Sequence, residues 1–489
     1  MLTCLRVVLV FSCVVLVFAE AEVLLGAERR KLLSRHAALN CMDSNSPILT
    51  LAQTPGYPPI RMSDHHATNE PLRLSQRALW AGGQPISYLI EQALANRDLI
   101  SLAAGFVDQQ TLPHEPTRVA LDAIFSDPDR ACEALQYGTT IGYLPLREAI
   151  RAQMLRADRA LGQESNLSVQ QIVVTAGSNQ LLQLVGETLL DPGDIVLCAA
   201  PTYFVFLGTL ANLGVRTIGV AMDQHGLVPE SLEAKLQRLA SNGDLPRVKA
   251  IYCTSYFDNP CSISLSLERR EQLVEIARRW SRAGRIHLIE DAAYRELRYE
   301  GDDLPSLRVF DPEGDTVIVA GTFSKSFSPG IRVGWGVLPK DLVKPLLAQK
   351  GNADFGSPNL AQHLMHTILD LGLYDEHVER LRKNYRTKRD AMLRAADATL
   401  RPLPGVEWIV PSGGLYVWLT LPESIETGPG GSLYDRALEA GVLYVPGEYC
   451  YPREGPRRTN TIRLSFGVQG VDAIDQGIRA LARAIGDVL

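Results

Sequence analysis

Along residues 126–340, short apolar runs alternate with longer stretches in which apolar residues recur every three or four positions. The runs are QIVVTAG, DIVLCAAPTY, VRTIGVAM, VKAIYCTS, IHLIEDAAY, TVIVAGTFS and RVGWGVLP. A strand covered on one face alternates apolar with polar residues, whereas these runs are apolar almost throughout, as strands covered on both faces are. The pattern predicts an α/β fold built on a seven-stranded, mostly parallel sheet with helices on both faces. Each run ends in a polar cluster, at the edge where open α/β sheets hold their ligands. After Asp341 the period changes. LYDEHVERLRKNYRTKRDAMLRAADATL reads as a long amphipathic helix, and GVEWIVPSGGLYVWLTL and TNTIRLSF as strands. The expected layout is a large ligand-binding domain over 126–340 and a smaller α+β domain over 341–489, completed by residues 74–125.

Residues 1–73 fit neither domain. MLTCLRVVLVFSCVVLVFAEAEV carries one arginine, an apolar core from Val7 to Ala19 and an Ala19-Glu20-Ala21 step, the layout of a secretory signal peptide. That core is short of the roughly 20 apolar residues a membrane span needs. A third reading puts these residues upstream of the true start, with Met42 or Met62 as internal candidates. The sequence leaves all three open. Residues 44–70, rich in Pro, Ser, Asn and His and without periodicity, read as a linker or arm.

Composition narrows the function classes. With 46% hydrophobic and 21% charged residues among 489, the chain buries a large core. A net charge of -6 supplies no positive field for a phosphate backbone, so no nucleic-acid partner is expected. Eight scattered cysteines, without CxxC pairs or flanking histidines, predict no metal site and read as buried thiols in a reducing compartment. A cytoplasmic protein without a stable membrane partner is the expectation.

The chemistry concentrates in GTFSKSFSPGIRVGWG, where Lys325 follows a strand among Thr322, Ser324, Ser326 and Ser328, and Arg332 follows seven residues later. Hydroxyls and a guanidinium make a receptor for a phosphate dianion. A phosphate beside a lysine points to pyridoxal phosphate, whose aldehyde an amine can hold covalently. The other strand ends supply candidates for the rest of such a site. TAGSNQLLQLVGETLL presents Ser178 and Asn179 in the first turn of a helix, where backbone N–H groups and the helix dipole favour an anion. IHLIEDAAY ends in Glu290-Asp291 and then Tyr294; a carboxylate at that depth needs a partner such as a protonated pyridine nitrogen, although an Asp capping the next helix is the alternative. SYFDNP places Asn259, and APTYF places Tyr203, where an amide and a ring could meet a flat heteroaromatic; a turn Asn and a core Tyr are equally ordinary. TNTIRLSFG sets Arg463 in an apolar strand, where it needs an anion, either a substrate carboxylate or a structural acid.

Taken in order, Gly177-Ser178-Asn179, Tyr203, Asn259-Pro260, Asp291 with Tyr294, Ser324-Lys325, Arg332 and Arg463 resemble the class I/II aminotransferases, the fold-type I pyridoxal-phosphate enzymes, over roughly residues 74–489. ISLAAGF and ALQYGTTIGYLPLREAI are most similar to the branch of 2-aminoadipate, kynurenine, aromatic and branched-chain aminotransferases. The resemblance implies that Lys325 holds the cofactor and moves the proton, that Asp291 pairs with the pyridine nitrogen, and that Asn259 and Tyr294 hold the ring oxygen. It further implies that Tyr203 stacks on the ring, that Ser178, Asn179, Thr322, Ser324 and Arg332 hold the phosphate, and that Arg463 takes the substrate α-carboxylate beside Gly105. Tyr137 matches a family tyrosine that reaches the phosphate of the neighbouring subunit, so a homodimer with shared sites is implied. The sequence departs from the family at Cys261-Ser262, where Thr-Gly is usual after Asn-Pro, and at Ala104-Gly105, where a double glycine is frequent. The expected activity is transfer of an amino group from an aromatic, branched or long aliphatic L-amino acid to a 2-oxo acid such as 2-oxoglutarate. A lyase on the same scaffold and an aminotransferase-like transcription regulator are the rival readings.

Overall fold

The computed structural model describes residues 72–81, 96, 98–162 and 166–489. Residues 73–489 form a compact unit. The signal-peptide, anchor and linker expectations lie outside the described residues.

A two-residue strand, β1 (Ile100–Ser101), precedes the large sheet. The sheet's strands are β2 (Ile172–Thr175), β3 (Ile195–Ala200), β4 (Arg216–Asp223), β5 (Gly226–Leu227), β6 (Val248–Thr254), β7 (His287–Asp291), β8 (Val317–Thr322) and β9 (Gly334–Val337). Their spatial order is β2-β9-β8-β7-β6-β3-β4-β5. Seven of these coincide with the seven apolar runs. The eighth corrects the expected count: β5 is two residues folded back against Met222 and Asp223, too short to form a run in the sequence. Strands β8, β7, β6, β3 and β4 are parallel neighbours, while β9 runs against both β2 and β8.

Alternation within each apolar run sorts residues to two cores. Ile172 and Val174, Ile195 and Leu197, and Val317 and Val319 enter one; Val173, Val196, Cys198, Ile318 and Ala320 enter the other. Helices Leu267–Trp280 and Asn359–Asp370 close the first face, and Ser178–Leu189, Phe204–Asn212 and Lys340–Asp354 the second. A third core belongs to the antiparallel sheet of β10 (Glu407–Trp408), β11 (Tyr416–Thr420), β13 (Val445–Pro446) and β14 (Thr461–Ser465), with the pair β1 and β12 (Val442–Leu443) beside it.

Core membership divides the chain at points other than 125/126 and 340/341. Leu102 and Ala103 join the small sheet's core, but Ala120 and Ile124 of helix His114–Phe125 join the large sheet's. The long helix Leu373–Thr399 passes from one to the other, with Tyr374 and Val378 in the large core and Leu381 and Tyr385 in the small one. A helix with apolar residues on one stripe carries no mark in its sequence of which core that stripe meets.

Beneath the sheet's carboxyl edge lies an ion pair with both side chains at 0% exposure, Arg270 Nη1 to Glu290 Oε1 at 3.4 Å. Arg270 also donates to the carbonyls of Ser255, Leu265 and Pro305, and Glu290 accepts from Ser255, Ser306 and the Leu307 amide. These bonds fasten the loop after β6 to the end of β7. Arg270→Leu strands Glu290 without its cation and is expected to lower stability by about 3 kcal/mol or more. Urea unfolding of the two proteins measures this, and a loss under about 1 kcal/mol contradicts the assigned role.

Candidate active site

The parallel strands bring their carboxyl ends to one edge, and the residues beyond those ends line a cavity of about 410 Å³. Its walls hold Ser178 and Asn179 beyond β2, Tyr203 beyond β3, Asn259 beyond β6, Asp291 and Tyr294 at and beyond β7, and Thr322, Ser324 and Lys325 at and beyond β8. Arg332 stands before β9 and reaches the same edge because β9 runs the other way. The small sheet contributes Arg463 and the N-terminal segment Gly105. Every site residue expected from the sequence lies here except Tyr137, which is 82% exposed and packs edge-on against Phe355 at 5.6 Å, away from this cavity. Two hydroxyls expected around the lysine do not take part. Ser326 is buried and accepts from Tyr374 at 2.8 Å, and Ser328 is absent from the lining.

Phe323 and Phe327, each 2% exposed, anchor the turn after β8, and its backbone bonds from Phe327 and Ser328 close on the Phe323 carbonyl. Lys325, held between them, donates from Nζ to the Gly105 carbonyl at 2.7 Å. Removal from bulk water, and then the charges of Arg463 and Arg332, hold its amine down to about 8. A neutral amine is therefore accessible near neutral pH, which a nucleophile requires.

At the phosphate end, helix Ser178–Leu189 begins at Gly177 without a side-chain cap, so its first amides have no partner from a cap. Gly177 has φ +87°, and a Cβ there would lie 2.5 Å from Arg332 Nη2; glycine is what admits the guanidinium. Arg332 itself has φ +51°, a conformation costly for a non-glycine residue, and it donates to the carbonyls of Ala176 and Pro329. Thr322 Oγ1 and Ser324 Oγ lie 2.9 Å apart beside it.

Asp291, 4% exposed, accepts from the Tyr252 hydroxyl at 2.9 Å and the Ala293 amide at 3.1 Å. Burial pushes its carboxyl up to about 6, opposed by these two bonds. A carboxylate so placed fits a cationic ring nitrogen, whose charge would restore its ionised form. Arg463, 1% exposed, donates Nη1 to Asn259 Oδ1 at 2.8 Å and Nη2 to the Ala103 carbonyl at 2.7 Å, while its buried Nε has no partner. That orphan donor fits an anion arriving in the cavity. The lysine, the uncapped helix end, the buried carboxylate and the orphan guanidinium N–H together suit pyridoxal phosphate and a carboxylate-bearing substrate.

The sequence missed Tyr252 and Tyr416. In the register of β6 and β7, Tyr252 lies opposite Ile289 and so diagonal to Asp291; in that of β11 and β14, Tyr416 lies opposite Ser465 and diagonal to Arg463. Both positions depend on strand pairing, for which a single chain carries no signal. The turn at Cys261-Ser262 is closed by Ser262, at φ +56°, whose hydroxyl donates to the Tyr416 carbonyl at 2.9 Å.

The chain belongs to the aminotransferase class I and II family, whose model matches residues 97–481. It is a pyridoxal-phosphate-dependent amino-acid aminotransferase of fold type I, acting on amino and 2-oxo acids. It is 33% identical over 411 residues to aromatic-amino-acid aminotransferase 1 of Thermococcus litoralis, covering 84% of this chain and 93% of that one. It is likewise 33% identical over 394 residues to 2-aminoadipate transaminase of Thermus thermophilus, covering 80% and 91%. The crystal structure of Pyrococcus horikoshii kynurenine aminotransferase in complex with PMP superposes with a TM-score of 0.78 at 35% identity, covering 85% of this chain and 97% of that one.

The lowered lysine carries a direct test. In cofactor-free protein, the Lys325-dependent rate of aldehyde addition is expected to rise through about pH 8 and level off above it, as the amine loses its proton. A rise centred near the ordinary 10.5, measured against Lys325→Ala, refutes this environment.

Proposed function

We propose that this aminotransferase takes aromatic, branched or long aliphatic L-amino acids as donors and passes the amino group to a 2-oxo acid such as 2-oxoglutarate. One observation carries the proposal. The cavity that Arg463 enters is lined by Phe106, Phe204 and Val205, with the centre of the Phe204 ring 5.4 Å from the guanidinium, and the other arginine of the described lining, Arg332, lies at the helix end. A substrate side chain there meets apolar surface and, among the described residues, no further arginine, which favours apolar over acidic donors.

Bound pyridoxal phosphate supplies a cationic ring that draws electrons from the substrate's Cα. The chain's residues do the rest. Arg463 would bind the α-carboxylate through the N–H groups its protein partners leave free and so fix which bond at Cα faces the lysine. Lys325, as a neutral amine, would take the proton from Cα and deliver it to the carbon on the far side of the substrate nitrogen, two atoms away. Asp291, fixed by Tyr252, keeps the ring nitrogen protonated, and Asn259 and Tyr294 hold the ring oxygen. Ser178, Asn179, Thr322, Ser324 and Arg332 hold the phosphate, and Tyr203 stacks on the ring. The exposed Tyr137, together with exposed Phe355 and Leu135, supports a homodimer in which Tyr137 serves the neighbouring subunit. The described cysteines are all free, in keeping with a reducing, cytoplasmic setting, and no helix among the described residues is long and apolar enough to cross a membrane.

The test is the absorbance of purified protein between roughly 300 and 450 nm, the range of this cofactor. The aldehyde-form band is expected to bleach with an aromatic or branched amino acid and to return with 2-oxoglutarate. Aspartate is expected to act at least about tenfold less efficiently, the discrimination a missing charged partner gives. Efficiency for aspartate equal to that for phenylalanine or leucine would overturn the substrate assignment. Lys325→Ala is expected to abolish turnover while the cavity still takes up cofactor; wild-type turnover would remove Lys325 from its role. Arg463→Ala is expected to lower kcat/KM by about 100-fold for every donor alike, since all share the α-carboxylate.

A further inference from the structure

Arg463, Asn259, Tyr294 and Tyr416 meet at one wall of the cavity, where on the proposed function the cofactor's ring oxygen would be held, and their hydrogen-bonding capacities narrow the order among them. Arg463 has only donors, so Asn259 must present Oδ1 to it at 2.8 Å. The amide's orientation follows, and Nδ2 faces Tyr294 Oη at 3.5 Å and Tyr416 Oη at 3.4 Å. The two hydroxyls are 3.0 Å apart, in contact through a single proton. If Tyr294 gave that proton, neither described partner of Tyr416 could accept the proton of Tyr416, which would then itself turn to the cavity that both hydroxyls line, and Tyr294 would have none to offer. In the reverse order, Tyr416 donates to Tyr294 and the proton of Tyr294 stays free for an oxygen in the cavity. The Arg463 guanidinium, 4.4 Å from the centre of the Tyr416 ring, favours the same order because a cation over a phenol strengthens it as a donor.

We propose that Tyr416 is a positioning residue: its hydroxyl donates to Tyr294 and thereby commits the proton of Tyr294 to the ring oxygen of the cofactor. This role rests on the proposed function, in which Tyr294 and Asn259 hold that oxygen. Tyr416 is 1% exposed, lines the same cavity as Tyr294, and lies close against Gly105, where an added Cβ would come within 2.8 Å of its hydroxyl. The titratable and charged groups around the pair are Tyr203, Asp291, Lys325 and Arg463 in the cavity wall and Tyr385 behind Tyr416. A hydroxyl that receives a hydrogen bond is polarised into a better donor. Losing the Tyr416 hydroxyl therefore weakens Tyr294 as a donor and leaves more negative charge on the ring oxygen, which then holds the proton at the Lys325 nitrogen more tightly.

The experiment is a spectrophotometric pH titration of the holoenzyme without substrate, for wild type, Tyr416→Phe, Tyr294→Phe and the double variant. Tyr416→Phe is expected to raise the midpoint of the cofactor's absorbance change by about half a pH unit. Tyr294→Phe is expected to raise it further, and the double variant to match Tyr294→Phe alone, because Tyr416 acts through Tyr294. An unmoved midpoint in Tyr416→Phe, or shifts that add in the double variant, overturns the proposal even if turnover falls. Should Tyr416→Phe fail to fold, Gly105→Ala displaces the same hydroxyl from the other side; a rise is expected, and an unmoved midpoint again overturns it. A wild-type holoenzyme with no titrating band brings down the underlying functional reading, which separates that failure from a failure of Tyr416.

Discussion

A guanidinium at 1% exposure inside an antiparallel strand has to be met by acceptors, and the acceptors of Arg463 come from two distant segments. Asn259 Oδ1 belongs to the loop beyond β6 of the large sheet, and the Ala103 carbonyl to the chain beyond β1. Satisfying one buried cation thus brings together the three pieces that form the cavity. The same constraint fixes the amide of Asn259, sets the 2.7 Å approach of Gly105 to Lys325 two residues further on, and leaves Nε as the one nitrogen of that guanidinium with no protein partner. A polar group left over after the fold has done its own accounting is where a substrate can add binding energy without displacing a protein bond.

Burial lowers the proton affinity of the lysine first, and the same cation lowers it further. Arg463 and Arg332 flank Lys325, and with burial they lower its proton affinity, while Asp291 is raised by burial and restrained by Tyr252. The cationic and anionic ends of the site are therefore both held away from their usual charge balance, in opposite directions. A bound group with a phosphate at one end and a protonable ring at the other relieves both, the phosphate answering Arg332 and the ring nitrogen answering Asp291.

Much of this was legible in the chain. Continuous apolar runs gave seven of the eight sheet strands, and the polar residue closing each run fell at the carboxyl edge because parallel strands end there together. Arg332 is the instructive member. It precedes its strand, and only the reversed direction of β9 returns it to the same edge, so its place was read from the loop's chemistry. Relations that require strand register were not legible: Tyr252 beside Asp291 and Tyr416 beside Arg463 look in sequence like core tyrosines. Nor could the helix stripes of His114–Phe125 and Lys340–Asp354 say which core they would meet. Tyr137, expected at the phosphate from its motif alone, is exposed and stands outside the cavity of this chain.

The turn at Asn259-Pro260-Cys261-Ser262 shows how a departure from a familiar pattern is absorbed. Ser262 takes a left-handed conformation at φ +56°, where a glycine would be unstrained, and its hydroxyl donates to the backbone of Tyr416. Glycine has no hydroxyl to make that bond. The strain at Ser262 is offset by a tie between the loop carrying Asn259 and the strand carrying Tyr416, the two segments whose side chains converge on Tyr294. Backbone and side chain therefore impose the same spacing, which is what a hydroxyl pair 3.0 Å apart needs if its proton order is to be kept as substrates enter and leave.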